Sequence, residues 1–250
     1  MKTTGNTILI TGAGTGMGLE AARQFSALGN TVIMVARNAE RLDQEAAPLA
    51  NAHTFVCDIT DASQVEALLT YLRTEHPQLN MAFLNAGVTH SHRLFDGQNA
   101  YTYAAQEVET NFLSAIRLSQ GLEPLLANKP KAALIITTSA AAYAPDISNP
   151  TYSATKAALH SLVASMRATL ERNASPIAVV ELVAPLVDSP FSEHVHSDQK
   201  MPASQVIEAL IEGLEHDETD LRVGASEDLY QALRRSPEEA IQMANAFTNA

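Results

Sequence analysis

The chain has 250 residues, 46% of them hydrophobic, a formal net charge of −12 and an isoelectric point near 5.0. That acidic balance, with no lysine or arginine cluster, argues against a nucleic-acid partner, and no apolar run is long enough to cross a bilayer. Cys57 is the only cysteine, so no internal disulfide forms and a reducing, cytoplasmic location is expected.

Ile8, Leu9 and Ile10 make a short continuous apolar run, as a parallel strand buried on both faces requires. The run begins so near Met1 that no signal peptide is expected. Glycines follow at 12, 14, 16 and 18, and Leu19, Ala22, Phe25 and Leu28 then start a helical pattern. Thr31–Ala36 predicts a second strand and Ala39–Ala50 a second helix. Phe55, Val56 and Cys57 predict a short third strand. Asp61 and Gln64 form a capping-box pair for a helix to Arg73. Met81–Leu84 predicts a fourth strand, and the polar segment Gly87–Gln98 is irregular. One long helix is expected from Ala100 to Leu126, then a fifth strand over Ala132–Thr138. A helix over Tyr152–Arg172 and a sixth strand over Ile177–Val183 follow. Pro185–Pro202 has the composition of a loop, Ser204–Leu214 of a helix and Leu221–Val223 of a last short strand. Ser236, Pro237 and Glu239 open a final helix, with proline at its first position.

This alternation of strands and helices predicts the α/β class. The expected architecture is a single-domain, doubly wound Rossmann fold over residues 1–250, with a mainly parallel sheet and helices on both faces. No linker, internal repeat or low-complexity tract divides the chain. Ligands of such a fold sit at the carboxyl ends of the strands. The candidate site loops are therefore the turn after Thr11, Arg37–Asn38, Asp58, Asn85–His92, Ser139–Pro150 and Pro185–Pro202.

A strand, a glycine turn and a helix start form a phosphate cradle. Glycine lets the backbone turn sharply and approach a pyrophosphate, and the N–H groups of the helix's first turn face the negative charge. The G-x-G-x-x-G fingerprint fails here, because its third glycine would be Met17. The spacing that fits is T-G-x-x-x-G-x-G, through Thr11, Gly12, Gly16 and Gly18. At the end of the second strand an NAD site usually carries Asp or Glu for the ribose hydroxyls. Here the residues are Ala36, Arg37 and Asn38. Ala36 offers no carboxylate, and the Arg37 guanidinium suits a 2′-phosphate, so NADP(H) is expected over NAD(H).

Tyr152 and Lys156 stand at i and i+4 of one helix and share a face. A free tyrosine is a poor base at neutral pH, and a nearby ammonium favours its phenolate. Ser139, at the carboxyl end of the fifth strand, offers a hydroxyl to a substrate oxygen. Most lone Tyr/Lys pairs are solvated helix neighbours. The glycine cradle and the strand-terminal serine ahead of this pair favour catalysis.

With these motifs the chain resembles the short-chain dehydrogenase/reductase (SDR) family from Thr7 to about Ser189. Thr11–Gly18 matches its glycine motif, Asn85-Ala86-Gly87 its Asn-Ala-Gly motif, and Asn111, Ser139, Tyr152 and Lys156 its four catalytic positions. The resemblance implies that Tyr152 donates or accepts the proton. Lys156 would hold the nicotinamide ribose and lower the tyrosine pKa, Ser139 would steady the carbonyl or hydroxyl, and Asn111 would hold a relay water. It also implies that Gly12, Gly14, Thr15, Gly16, Met17 and Gly18 line the cofactor phosphates. Arg37 and Asn38 would meet the adenosine ribose, and Asp58 and Ile59 the adenine. Asn85, Ala86 and Gly87 would flank the cofactor, and Val187 and Ser189 would reach its carboxamide and phosphates.

Two positions depart from the pattern. Leu84 stands where a second asparagine is common, and Ala184-Pro-Leu-Val-Asp-Ser189 replaces P-G-x-V-x-T. Thr15 also occupies a place where NADP-dependent members often carry a second basic residue.

The expected activity is hydride transfer between NADP(H) and a small-molecule carbonyl or alcohol, and the resemblance implies a homodimer or homotetramer. The substrate is set by loops 87–99 and 185–203. The rival is a non-catalytic NADP-binding regulator or scaffold on the same fold. No metal is expected, although His90/His92 and His194/His196 form two H-x-H pairs whose imidazoles could together meet zinc. Cys57 reads as a small core residue. Ile241, Ala244 and Phe247 read as packing against the chain's own core, with a subunit contact as the alternative.

Overall fold

The computed structural model describes residues 1–97 and 99–246. Gln98, at the end of the polar segment, and Phe247 lie outside the described residues. The strands are β1 (Thr7–Thr11), β2 (Thr31–Ala36), β3 (Ala52–Val56), β4 (Met81–Leu84), β5 (Ala133–Ser139) and β6 (Ala178–Ala184). Two-residue β7 (Val187–Asp188) and β8 (Met201–Pro202) and short β9 (Asp220–Arg222) complete them. The helices are α1 (Gly16–Ala27), α2 (Ala39–Ala46), α3 (Ala62–Glu75), α4 (Ala100–Glu107) and α5 (Ser114–Leu126). They continue with α6 (Pro150–Arg172), α7 (Ala203–Glu215), α8 (Ala225–Arg235) and α9 (Pro237–Ala244).

Seven strands form one parallel sheet in the order β3-β2-β1-β4-β5-β6-β9. Successive strand residues point to opposite faces. Ile8 and Ile10 join Phe25 of α1 and Leu210 of α7 on one side. Leu9 joins Leu68 of α3, Leu122 of α5 and Leu159 of α6 on the other. Both layers exclude water, which is why β1 carries three bulky apolar residues in a row. Burying each such side chain contributes about 1.5–3 kcal/mol. The strand order reverses between β1 and β4, so the loops leaving them open a crevice at their carboxyl ends.

The structure moves several predicted boundaries. The third strand starts at Ala52 and ends before Cys57, because its half-exposed edge position gives no continuous apolar run. The second helix stops at Ala46, ahead of Pro48, which disfavours helix at the residue before it. The long helix predicted over Ala100–Leu126 is broken by a π-helical turn over Val108–Leu113. The segment Pro185–Pro202 is not all loop: β7 pairs with β8. Helix α8 has no counterpart in the sequence analysis, although its charges mark it. Glu227 and Asp228 lie in its first turn and Arg234 and Arg235 in its last, as the helix dipole favours. Asp61 caps α3 by accepting from the N–H groups of Ser63 and Gln64. The Gln64 side chain instead reaches the N–H of Asp58 at 2.8 Å, so the capping box does not close on its own cap.

Gly18 ties the fold to the crevice. A Cβ added there would stand 2.3 Å from the carbonyl oxygen of Gly12 and 2.8 Å from Asn85 Nδ2. Gly18→Ala is expected to cost about 1–3 kcal/mol, the size of an overpacked site. Urea unfolding measures it, and an unchanged midpoint would show that the two loops separate freely.

Candidate active site

The glycine turn and the loop after β4 are stitched together by Thr11. Its hydroxyl accepts from the N–H groups of Asn85 (3.0 Å) and Ala86 (3.1 Å). Asn85 Nδ2 donates back to the Thr11 carbonyl at 3.3 Å, and Thr137 Oγ1 donates to Asn85 Oδ1 at 3.2 Å. Gly12 (φ +69°) and Gly16 (φ +53°) occupy the left-handed region that suits glycine. A Cβ on Gly12 would come within 3.0 Å of Ala86, and one on Gly16 within 3.2 Å of Ser189. The turns after β1, β4 and β6 therefore meet around the start of α1. No acidic residue occupies that helix's first turn, and Thr15 makes no side-chain cap bond.

The other predicted cofactor residues divide. Asn38 caps α2 by accepting from Arg41 N at 2.9 Å, which commits its carbonyl oxygen. Arg37 forms no salt bridge among the described residues, and its charge faces Asp58. The Asp58 carboxyl is held below the usual range by the Thr60 N–H and hydroxyl, with Arg37 contributing less. Ile59 and Val187 are buried in the core, and Met17 packs against it, so their side chains are largely committed. Sequence reasoning missed Arg41, whose stem lies 4.0 Å from where a Cβ on Gly14 would stand.

Helix α6 opens at Pro150, two residues before the predicted start, with proline in its first turn. This puts Tyr152 and Lys156 on successive turns under β5. Lys156 is buried and its Nζ donates to the Thr137 carbonyl at 2.8 Å, 5.7 Å from the Tyr152 ring centre. The Tyr152 hydroxyl is hydrogen-bonded with Ser139, whose Oγ also accepts from Ala141 N. Asn111 sits in the π-helical turn, a distortion frequent at functional sites. Its Oδ1 accepts from Val88 N (2.8 Å), and its Nδ2 donates to the Val88 carbonyl (2.9 Å) and Thr155 Oγ1 (3.1 Å). A Cβ on Gly87 would lie 3.2 Å from Asn111 Oδ1 and 4.0 Å from Lys156 Nζ. Asn111 and Lys156 thus meet at Gly87, and Ser139 stands at Tyr152, so three separate elements bring the four residues together. Phe191, partly exposed, adds an apolar wall 5.6 Å from the Tyr152 ring.

Electrostatically the pair differs from the sequence expectation. In the chain alone, burial pushes the Tyr152 phenol up to about 12, and Glu107 adds to that while the Ser139 hydrogen bond opposes it. Burial pulls the Lys156 ammonium down to about 8, with Glu181 opposing. Loss of water disfavours the charged form of each. Behind Lys156, sequence reasoning missed Glu181. It is buried on β6 and accepts from Thr138 Oγ1 (2.6 Å), with His160 Nδ1 at 2.8 Å. A glutamate within an apolar strand was the available signal.

Among the described residues no group of three or more His, Cys, Asp or Glu is placed to hold a metal. His92 Nδ1 donates to the His90 carbonyl at 2.8 Å, so the first H-x-H pair is turned inward rather than toward the second. No helix of the described residues is long and apolar enough to cross a membrane.

Residues 6–200 match the short chain dehydrogenase family. The oxidoreductase DltE of Bacillus subtilis is 34% identical over the full length of both chains. The chain belongs to the short-chain dehydrogenase family. An oxidoreductase of Staphylococcus epidermidis is 25% identical over 82% of this chain and 89% of its own. Two solved SDR structures share the fold at a TM-score of 0.86. The Burkholderia cenocepacia protein, in complex with NADP, is 21% identical over 97% of this chain and 98% of that one. The Burkholderia phymatum protein, in complex with NAD, is 18% identical over 96% of this chain and 95% of that one. The family's Rossmann fold is thus the one observed here.

Outside the crevice, burial raises the Cys57 thiol to about 11, with Asp58 and Asp61 adding to it. The thiolate is the reactive form. At pH 8 a chromogenic disulfide reagent should therefore leave the native thiol essentially unmodified, and react fully after unfolding. Rapid reaction of native protein would contradict the burial of Cys57.

Proposed function

We propose that the chain is an NADP(H)-dependent SDR oxidoreductase that interconverts a carbonyl and an alcohol, with Tyr152 as general acid/base. The observation that carries this reading is that Asn111 and Lys156 meet at Gly87 while Tyr152, on the same helix as Lys156, faces Ser139. Four groups from a π-helical turn, a strand end and one helix have no packing reason to come together.

The crevice fits a dinucleotide. Glycines 12 and 16 hold left-handed turns, Gly18 lets the turn pack against Gly12 and Asn85, and α1 starts there without a side-chain cap, where the first N–H groups of a helix lack intrahelical partners. Gly12, Gly14, Thr15, Gly16, Met17 and Gly18 would line the phosphates through their backbone, with Ser189 beside them. Asp58 and the backbone at Ile59 would face the adenine, Asn85, Ala86 and Gly87 the central ribose region, and Val187 the carboxamide. A bound nicotinamide supplies or takes the hydride.

The chain's own residues handle the proton. In reduction, Ser139 Oγ donates to the substrate carbonyl oxygen and holds it beside Tyr152 Oη. Burial keeps the phenol protonated, so it is a ready acid. Lys156, with its Nζ 5.7 Å from the Tyr152 ring, would hold the cofactor ribose and stabilise the phenolate left behind. Asn111, with its side chain bonded to Val88 and Thr155, orients the relay to solvent. Phe191 and loops 87–99 and 185–203 would form the substrate wall. The proposed setting is the cytoplasm. An apolar groove between α4 and α6, lined by Ala104, Val108, Phe112, Ala154 and Ala158, supports a homodimer or homotetramer.

Reduced NADP with a panel of aldehydes, ketones and quinones tests the activity. Binding without turnover on the whole panel would favour a non-catalytic regulator. Tyr152→Phe should keep cofactor affinity and lower kcat by about 10²–10⁴, the usual loss of a general acid. Near-normal turnover in that variant would refute the proton assignment.

The cofactor preference rests on Arg37, free of salt bridges among the described residues, with Arg41 beside Gly14 as second cation. One charged hydrogen bond contributes about 1.5–3 kcal/mol, roughly ten- to hundredfold. Titration should show NADPH binding more tightly than NADH by that factor, and Arg37→Ala should abolish the difference. Equal affinity in the wild-type chain would refute it.

A further inference from the structure

Glu107 ends α4 with no exposed surface, an unusual place for a carboxylate. Its Oε1 accepts from the backbone N–H of His90 at 2.7 Å, and His90 Nδ1 lies 3.3 Å from the same atom. Its Oε2 accepts from Thr151 Oγ1 at 2.5 Å. His90 belongs to the loop that follows Gly87, and Thr151 immediately precedes Tyr152. The next residue after Glu107 begins the π-helical turn that carries Asn111. One side chain therefore joins the substrate loop, the start of α6 and the turn of Asn111. Tyr103 stacks on the His90 ring at 4.9 Å and closes the cluster from outside, while His92 Nε2 lies 3.4 Å from Thr151 Oγ1.

We infer that Glu107 is a positioning residue, whose carboxylate holds the His90 loop and the Thr151 end of α6 in the register that aims Tyr152 at Ser139. The inference rests on the proposed oxidoreductase reading for its effect on rate, but its geometry is independent of it. A carboxylate here costs desolvation, which the His90 N–H and the Thr151 hydroxyl offset. An apolar residue could fill the space; it could not bind two separate segments at once. The ionisable groups that face the phenol are Lys156 on its own helix and Glu107 from α4, with His90 and His92 standing behind Glu107 and Thr151. From β5 and the loop after β6 come Ser139 and Phe191, which carry no charge. Glu107 also faces the phenol as a negative charge and resists its ionisation.

Two substitutions separate geometry from charge. Glu107→Gln keeps the shape and removes the charge; Thr151→Val removes one bond and leaves the charge. Both should lower kcat about ten- to hundredfold, as a misplaced catalytic group does, with the Kd for NADPH within about twofold of wild type. Phenol ionisation is read as tyrosinate absorbance in the presence of NADP+, with Tyr152→Phe as blank. Glu107→Gln should move that midpoint to lower pH, because a neighbouring anion is gone, and Thr151→Val should leave it in place. Unchanged kcat in both variants, or an unmoved midpoint in Glu107→Gln, overturns the inference. If Glu107→Gln does not fold, Thr151→Val decides by its kcat alone. If the wild-type chain turns over no carbonyl, the oxidoreductase reading fails, and the tyrosinate titration still decides the place of Glu107.

Discussion

The crevice depends on the close approach of two turns, the one after β1 and the one after β4. The Thr11 hydroxyl takes two backbone N–H groups from the second turn, and Gly12 passes Ala86 at a distance that leaves no room for a side chain. Both facts follow from the strand order. Adjacent parallel strands whose crossovers leave in opposite directions expose their terminal N–H groups, and buried N–H groups need partners. Threonine supplies an acceptor to one side while glycine allows contact on the other. Gly87, Asn111 and Lys156 then meet just beyond, so the candidate site is an extension of the same junction.

Burial dominates the electrostatics of that site. Tyr152 is kept neutral and Lys156 is made easier to deprotonate, although the two lie close enough to attract. Lys156 spends its proton on the Thr137 carbonyl, and Glu181 stands behind it with His160 and Thr138. A buried carboxylate backing a buried ammonium keeps the lysine charge available in a place where water would otherwise be required. Such an arrangement is poised to respond to a bound charge, since the low local dielectric strengthens any added interaction.

The π-helical turn over Val108–Leu113 solves a local problem. A regular helix from Ala100 to Leu126 would carry its side chains at one fixed spacing. The widened turn brings Asn111 toward Val88, where it pairs with both backbone groups of that residue. Val88 is part of a loop with no ladder to satisfy it, so the asparagine amide stands in for a missing strand.

Much of this was legible in the residues alone. Apolar runs of β-branched and large residues located β1, β2, β4, β5 and β6, because strands buried on both faces admit little else. Ser236, Pro237 and Glu239 marked α9, because a cap acts through its immediate neighbours. The glycine spacing and the Tyr152/Lys156 interval likewise express local geometry. What sequence could not reach was everything set by distant partners. The third strand was misplaced because an edge strand is only half covered, and α8 was overlooked although its terminal charges were in view. The π-helical turn, the Glu107 cluster, Arg41 beside Gly14 and the inward turn of His92 needed the folded chain. Their side chains are ordinary for their positions, and contacts between segments distant in sequence, 17 and 44 residues apart for Glu107, give them meaning. Periodicity and capping are properties of one segment; the placement of a buried carboxylate depends on which segments the sheet brings together.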